Sequence, residues 1–204
     1  MTGVFQKARV QAAAVRPRGR PPAATPEDVL EAALHRFLHG RRVDVRAIAA
    51  ELGLGRTTVY RWFGSRERLL GAVLVRAADP LFDEARAEAR GRGAVALLDT
   101  FTRLNRRLAA APALRAFLEQ ERDALRILTS SGGVVQPHVV RRVTALIEEE
   151  QAAGAYEPPV EPATLAYAIV RLAEAFLYND AVAGIRGDVE RLREVQAVLL
   201  GVRR

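Results

Sequence analysis

The chain has 204 residues, of which half are hydrophobic, 27% are charged and none is cysteine. Half the residues being apolar is enough for a packed core, and the lack of cysteine excludes disulfides and thiolate metal sites. No run of about 18 apolar residues and no signal-peptide core is found, so we expect a cytoplasmic protein without a membrane span.

Positive charge is concentrated in the N-terminal part of the chain. Residues 1–78 carry 14 basic and 6 acidic side chains, whereas residues 79–204 carry 17 basic and 18 acidic ones. The whole formal net charge of +7 at pH 7 therefore arises before residue 79. Such an asymmetry is typical of a protein whose basic half binds a polyanion.

The first 24 residues contain five basic side chains and no acidic one, which predicts a flexible basic arm. Within this arm, the stretch Pro17 to Pro21 (PRGRP) resembles the core of an AT-hook. An extended Arg-Gly-Arg is narrow enough for an electronegative minor groove, so Arg18 and Arg20 are candidate DNA contacts. The alternative is a solvated tail that attracts phosphates without specificity.

A first helix is predicted to begin after Thr25. Thr25 can cap the helix, Pro26 suits its first position, and the acidic residues that follow favour its positive end. His35 and His39 are four residues apart on this helix, a spacing that could bind a metal. Because no carboxylate partner accompanies them, we interpret both as surface histidines and expect no metal site.

Two short helices joined by a tight turn are predicted between Val45 and Gly64. Ile48, Ala49 and Leu52 share one face of the first helix, and Gly53 follows where a chain leaving a helix often needs a positive φ. The second helix, 56–63, has an apolar side and a polar side. This pattern predicts a helix-turn-helix, whose second helix presents its polar face to the DNA major groove.

Different roles are expected for the residues of this second helix. Arg56 and Thr57 are best placed for base edges, since Arg can bind guanine and Thr can contact the methyl group of thymine. Thr58 lies in the same first turn, where backbone N–H groups can bind phosphate. The remaining DNA-binding candidates are Tyr60, for base or backbone, and three residues for phosphates, Arg61, Trp62 and Arg66.

After Ser65, which can cap a further helix, only helical periodicity is found. Asp79-Pro80 is expected to bend or end that helix. The later helices are predicted over 81–91, 94–110, 113–129, 137–153, 162–183 and 188–202. No segment alternates with a period of two, so the predicted fold class is all-α.

The run LGLGRTTVYRWFGSRERLL, Leu52 to Leu70, resembles the signature of the TetR family of bacterial repressors. Trp62 stands where that family more often has His or Tyr, and Arg66 stands where Lys is usual. The resemblance implies a three-helix DNA-binding domain over 25–70, after the arm of residues 1–24. It also implies a larger helical ligand-binding and dimerisation domain over 71–204.

Helix 162–183 is apolar on almost every side, which indicates burial on two sides. One side can pack in the core of its own chain, and the other needs a second chain. TetR-like proteins dimerise through a four-helix interface of this kind, and a central helix in a monomer is the alternative. The candidate interface residues are Leu165, Ile169, Leu172, Phe176, Leu192, Val195 and Leu199.

The same resemblance implies a ligand pocket among the middle helices. Its candidates are Phe101, Leu104, Asn105, Phe117, Leu125, Leu128, Val139, Val143, Tyr167, Arg171, Glu174, Tyr178 and Asn179. Their character indicates a mostly hydrophobic effector. The stretch 154–180 further resembles QsdR-type regulators, which implies a lactone-like signal.

No enzyme constellation or cofactor motif is found, because His138 has no nucleophile pattern near it and Gly132-Gly133 lacks the residues of a phosphate loop. The predicted function is a homodimeric repressor of an inverted-repeat operator on double-stranded DNA, associated with the nucleoid and released by a small molecule. An activator, or a repressor without a ligand, fits the sequence equally well. The alternative from another class is an architectural DNA-binding protein that uses the arm with little sequence preference.

Overall fold

The structure, a computed structural model, describes residues 24–178 and 187–202. These residues form ten α-helices and no strand, which confirms the all-α prediction. The helices are α1 (Pro26–Leu38), α2 (Val45–Glu51), α3 (Arg56–Phe63), α4 (Arg66–Glu88), α5 (Gly93–Ala110), α6 (Pro112–Gln120), α7 (Ala124–Thr129), α8 (Val135–Ala152), α9 (Pro162–Tyr178) and α10 (Val189–Leu199).

Helix α1 begins as its capping residues predict. The Thr25 side chain accepts a hydrogen bond from the Asp28 backbone N–H, and the Asp28 carboxylate accepts one from the Thr25 backbone N–H in return. Pro26 occupies the first helical position. The start of the first helix is therefore determined locally, by four consecutive residues.

Helix α4 differs from the prediction, since it continues through Pro80 to Glu88. A proline inside a helix removes one backbone hydrogen bond. Burial of Phe82 and Ala85 beyond the proline outweighs that loss, because both side chains lie in the core beneath the helix. The predicted separate helix over 81–91 is therefore the second half of α4.

One further predicted span needs correction. The span 113–129 is two helices, α6 and α7, which are separated at Glu121 to Asp123. The final part of the predicted span 162–183 lies outside the described residues, as do Arg18, Arg20 and Asn179.

The buried side chains form two hydrophobic cores. The first joins α1, α2, α3 and the N-terminal half of α4 to α6, α7 and the start of α8. The second joins the C-terminal half of α4 to α5, α8, α9 and the end of α10. Helix α4 contributes to both cores. Because the first core also includes side chains of α6, α7 and α8, it extends beyond the domain boundary predicted at residue 70.

Candidate nucleic-acid interface and adjoining cavity

Helices α2 and α3 form the predicted helix-turn-helix. Asp44 caps α2 by accepting hydrogen bonds from the backbone N–H groups of Arg46 and Ala47. At the turn, Gly53 has a φ of 65°, and the Leu54 N–H donates to the Ala49 carbonyl oxygen at 2.7 Å. Ala49 is buried against the first core, so its small side chain permits the close crossing of the two helices.

Helix α3 buries one side and exposes the other. Val59 is 1% exposed, whereas Arg56, Thr57 and Arg61 are exposed to solvent. The Arg56 guanidinium lies 5.9 Å from the centroid of the Tyr60 ring, which is partly exposed on the same face. The polar residues predicted to read DNA therefore share an accessible surface.

The N-terminus of α3 is also accessible. Gly55 precedes it and, being glycine, gives no side-chain cap to the first turn, which contains Thr57 and the partly exposed Thr58. The Thr58 N–H donates to the Gly55 carbonyl oxygen at 2.9 Å, so the N–H groups that have no partner within the helix and can bind an anion such as a phosphate are those of Arg56 and Thr57.

Exposed arginines are frequent in the helix-turn-helix region. Within the part of the chain that the structure describes, six arginines of the helix-turn-helix region are exposed and form no ion pair: Arg41, Arg42, Arg46, Arg56, Arg61 and Arg68. Because no described acidic side chain forms an ion pair with them, their charge is available for the DNA backbone.

Two candidate DNA contacts are placed differently from the others. Trp62 is partly buried and packs against the first core. Arg66, the first residue of α4, donates to the Glu121 carboxylate at 2.6 Å. This hydrogen bond holds the pKa of Glu121 below its usual range, although burial of the carboxyl opposes that shift.

A cavity of about 370 Å³ lies between the helix-turn-helix unit and the rest of the chain. Its wall combines the end of α1, the middle of α4 and the start of α6 with residues of α5, α7 and α8. Most of the lining is aliphatic or aromatic. A mainly apolar cavity of this size with a few polar groups is typical of a small-molecule site.

The acidic and basic side chains of the cavity come from α4 and α8. Asp79 accepts hydrogen bonds from His138 Nε2 at 2.8 Å and from Arg142 Nη1 at 3.0 Å. Arg142 also pairs with Asp83, and its guanidinium lies 4.4 Å from the centroid of the Phe82 ring. These contacts hold the helix on both sides of Pro80 against α8.

The sequence interpretation missed this cluster. Its signal is a pair of complementary patterns: two acidic residues four apart on α4, Asp79 and Asp83, oppose two basic residues four apart on α8, His138 and Arg142. Only the packing of α4 on α8 brings the two patterns together.

Four of the predicted pocket residues line the cavity: Leu104, Leu128, Val139 and Tyr178. Three others, Phe101, Asn105 and Val143, are buried in packed interior positions, and Asn105 donates a hydrogen bond to Gln196 on α10 at 3.2 Å. Phe117 packs edge-on against Phe37, with the ring centroids 6.1 Å apart. Tyr167 is half exposed on the surface.

The remaining three candidates, Leu125, Arg171 and Glu174, line a second cavity of about 170 Å³. Arg171 donates to Glu174 at 2.7 Å and to the Thr129 carbonyl oxygen at 3.1 Å. Burial raises the pKa of Glu174 to about 7, although Arg171 and Gln136 both favour its charged form. Burial also raises the pKa of Tyr178, as does the neighbouring Glu174 carboxylate.

The predicted interface residues fall into two groups. Leu165, Ile169 and Leu192 are buried inside the single chain, so a second chain could not cover them further. Leu172, Phe176 and Leu199 are partly exposed, and Val195 is exposed. On α10, Val195 and Val198 form an outward stripe opposite the buried Leu192 and Gln196, whereas Val202, beyond the end of the helix, packs against the second core.

None of the helices in the described ranges is long and apolar enough to cross a membrane. Over the same ranges, no three side chains of the metal-ligating types His, Cys, Asp and Glu lie close enough together to hold a metal ion.

Two family models match the chain. Residues 29–73 match the model described as bacterial regulatory proteins, tetR family, and residues 92–201 match the model described as tetracyclin repressor-like, C-terminal domain. A search of the curated proteins found no match.

Solved structures show the same fold. The transcriptional repressor QsdR of R. erythropolis, from the TetR family, is 28% identical with a TM-score of 0.81, over 88% of this chain and 95% of that one. The TetR family repressor AlkX of Dietzia sp. strain DQ12-45-1b is 22% identical with a TM-score of 0.59, over 87% and 96%. The second similarity concerns the fold alone.

The C-terminal model covers more than half of the chain, and the N-terminal model covers the helix-turn-helix unit and the start of α4. The family consists of DNA-binding transcriptional regulators, not enzymes. This chain belongs to the TetR family of transcriptional regulators.

Proposed function

We propose that the protein is a homodimeric repressor that binds an inverted-repeat operator and is released by a small, mostly apolar, uncharged effector. In this proposal, residues 25–70 read the DNA and residues 71–204 bind the effector and the second chain. The observation that carries the proposal is the exposed polar face of α3, in a region whose exposed arginines have no ion-pair partner among the described residues. The similarity to QsdR, itself a transcriptional repressor, supports it.

A two-fold dimer would explain operator symmetry. It places two copies of α3 about one DNA turn apart, which requires an inverted repeat with matching half-site spacing. The surface available for a second chain is the apolar stripe of α10 with the partly exposed Leu172 and Phe176 of α9.

The polar cluster of the larger cavity favours an effector without negative charge. Arg142 and the His138 ring are both bonded to Asp79, and Asp83 adds a second carboxylate beside Arg142. An effector carboxylate would therefore meet no unpaired cation among the described lining residues. A neutral hydrogen-bonding group, such as an ester or the lactone indicated by the sequence, fits this wall without disturbing the pairs.

The arm of residues 1–24 completes the proposal. Arg18 and Arg20 enter the minor groove beside each half-site, and the protein works in the cytoplasm on the nucleoid. The sequence pattern Pro17 to Pro21 supports this role.

The experiment measures binding of the protein to labelled DNA that flanks its own gene, with excess random competitor DNA and at two salt concentrations. Footprinting then identifies the protected bases. A protected inverted repeat with half-sites one turn apart is expected. Salt-sensitive binding that random competitor abolishes would instead favour an architectural protein that uses the arm.

The effector is tested on the same operator complex with apolar molecules of equal chain length that carry an ester, a carboxylate or an amine. Release by the ester and not by the carboxylate is expected. Release by the carboxylate at equal or lower concentration would overturn the uncharged-effector proposal.

A further inference from the structure

Arg66 occupies a position from which it could reach DNA. It follows the end of α3 by three residues, and Tyr60 of the DNA-facing helix contributes to its electrostatic surroundings. Its side chain is 27% exposed, so it is not sealed within the protein. A guanidinium at this point is well suited to a phosphate oxygen.

The guanidinium is nevertheless bonded to another helix. Arg66 Nη2 lies 2.6 Å from Glu121 Oε2, at the C-terminal end of α6. The Glu121 side chain is only 8% exposed, and no other cation among the described residues forms an ion pair with it. A buried carboxylate that loses its one ion-pair partner is strongly unfavourable, so Glu121 holds Arg66 firmly.

We propose that Glu121 competes with the DNA backbone for Arg66, and that the Arg66–Glu121 ion pair withholds one phosphate contact per chain from the operator. Glu121 is thus a positioning residue that lowers operator affinity. This inference rests on the proposed function, because it requires a specific operator complex in which to measure the contact.

The location of Glu121 links this pair to the cavity. Helix α6 ends at Gln120, directly before Glu121, and its first residues, Pro112, Ala113 and Leu114, line the 370 Å³ cavity. Along the same helix, Gln120 donates to the Gly40 carbonyl oxygen at 3.0 Å and Phe117 packs on Phe37. One short helix therefore contacts the cavity, the end of α1 and the partner of Arg66.

The test is the salt dependence of operator binding by Glu121→Gln, compared with the unchanged protein. Freeing Arg66 should add one phosphate contact per chain and steepen the slope of log K against log salt by about 0.9 per chain. For two chains, the affinity gain over the unchanged protein should then be about 12-fold larger at 50 mM than at 200 mM salt.

Glu119→Gln is the matched control. It removes the same charge two positions earlier, at the end of α6, but Glu119 is exposed and forms no ion pair with an arginine among the described residues. Its salt slope should equal that of the unchanged protein. If Glu121→Gln behaves like Glu119→Gln on an operator that both still protect, the proposal is overturned.

The double variant Arg66→Gln with Glu121→Gln gives a second measurement should Glu121→Gln fail to fold, because it leaves neither a buried carboxylate nor a free arginine. It should have the salt slope of the unchanged protein, because Arg66 makes no phosphate contact there. A slope that becomes shallower by about 0.9 per chain would show that Arg66 already contacts phosphate. Failure of the proposed function looks different, since then the unchanged protein protects no inverted repeat.

Discussion

At the scale of single residues, Arg56 is the side chain from which we expect the most sequence information. It is exposed in the first turn of α3 and stacks loosely on Tyr60, which orients it. Replacing it with Ala should cost about 1–3 kcal/mol of binding free energy and relax the preference at one base pair of each half-site. The measurement is binding to the operator and to a set of operators that differ at one base pair each.

Arg61→Ala is the comparison for that experiment. Because Arg61 is expected to contact phosphate, its loss should weaken binding to every operator variant equally and make the salt slope shallower by about 0.9 per chain. If Arg56→Ala instead weakens binding to every operator variant equally, Arg56 contacts the DNA backbone rather than a base.

The buried carboxyl of Glu174 on α9 affects the stability of the folded chain. Burial raises its pKa from 4.5 to about 7 in the folded chain. The folded state therefore binds the proton more tightly than the unfolded state. The protonated carboxyl makes its full contribution to the free energy of unfolding below pH 4.5. This stabilisation is lost as the pH rises to about 7 and does not change further above it.

We expect Glu174→Gln to remove this pH dependence. Between pH 4.5 and 7.5, the free energy of unfolding of the unchanged protein should fall relative to that of the variant by about 1–3 kcal/mol. Urea unfolding at several pH values measures it, with the exposed Glu149→Gln as control. Parallel pH profiles for Glu174→Gln and the unchanged protein would show that the carboxyl titrates normally.

At the scale of secondary-structure elements, the helix starts could be predicted where one residue type determines them. Thr25, Asp44 and Ser65 all cap the helices that follow, as their side chains predict. The turn at Gly53 could be predicted for the same reason, because a positive φ is a local property. The contacts Arg66–Glu121 and Asp79–His138 could not be predicted, since each joins residues more than 50 positions apart.

Pro80 shows how tertiary packing overrides a local signal. Its exposed ring lies inside α4 and removes one backbone hydrogen bond, yet the helix continues because Phe82 and Ala85 are buried and Arg142 holds Asp79 and Asp83. Proline inside a helix costs about 3 kcal/mol relative to alanine.

We therefore expect Pro80→Ala to raise the free energy of unfolding by about 1–3 kcal/mol, as measured by urea denaturation. Pro112→Ala is the matched control, because Pro112 occupies the first position of α6, where proline is well tolerated. It should be neutral or slightly destabilising. A loss of stability in Pro80→Ala would mean that α4 requires the proline ring for its packing.

At the scale of the whole molecule, helix α4 joins the helix-turn-helix region to the cavity. Its first residue, Arg66, lies close after the end of α3, its middle lines the cavity, and its C-terminal half belongs to the second core. A ligand changes DNA affinity only through a difference in its binding to two arrangements of the protein. Residues of α1, α4 and α6 share the cavity wall, so an occupant contacts the DNA-binding unit directly.

The cavity also marks a limit of prediction from sequence. Phe101 and Leu104 have the same apolar character and lie three positions apart on α5, yet Phe101 is packed in the core and Leu104 lines the cavity. Periodicity identifies the buried face of a helix but does not distinguish side chains that meet a neighbour from side chains that border a void. Only the crossing of the helices determines that difference.

The proposed homodimer can be tested at the outward face of α10. Its inward stripe, Val189, Leu192, Gln196 and Leu200, is buried, whereas Val195 and Val198 are 39% and 78% exposed. A second apolar stripe on the surface is expected where another chain packs. Val198→Glu should place a charge in that interface, because an unpaired carboxylate is costly to bury.

Light scattering should then give the mass of one chain for Val198→Glu and of two for the unchanged protein. Operator affinity should fall by more than about tenfold, since each chain would bind only one half-site of the repeat. Val160→Glu, which changes another exposed valine before α9, should remain dimeric and bind normally. If Val198→Glu keeps the mass of two chains, the outward stripe of α10 is not the interface, and the second copy of α3 must be held by another surface.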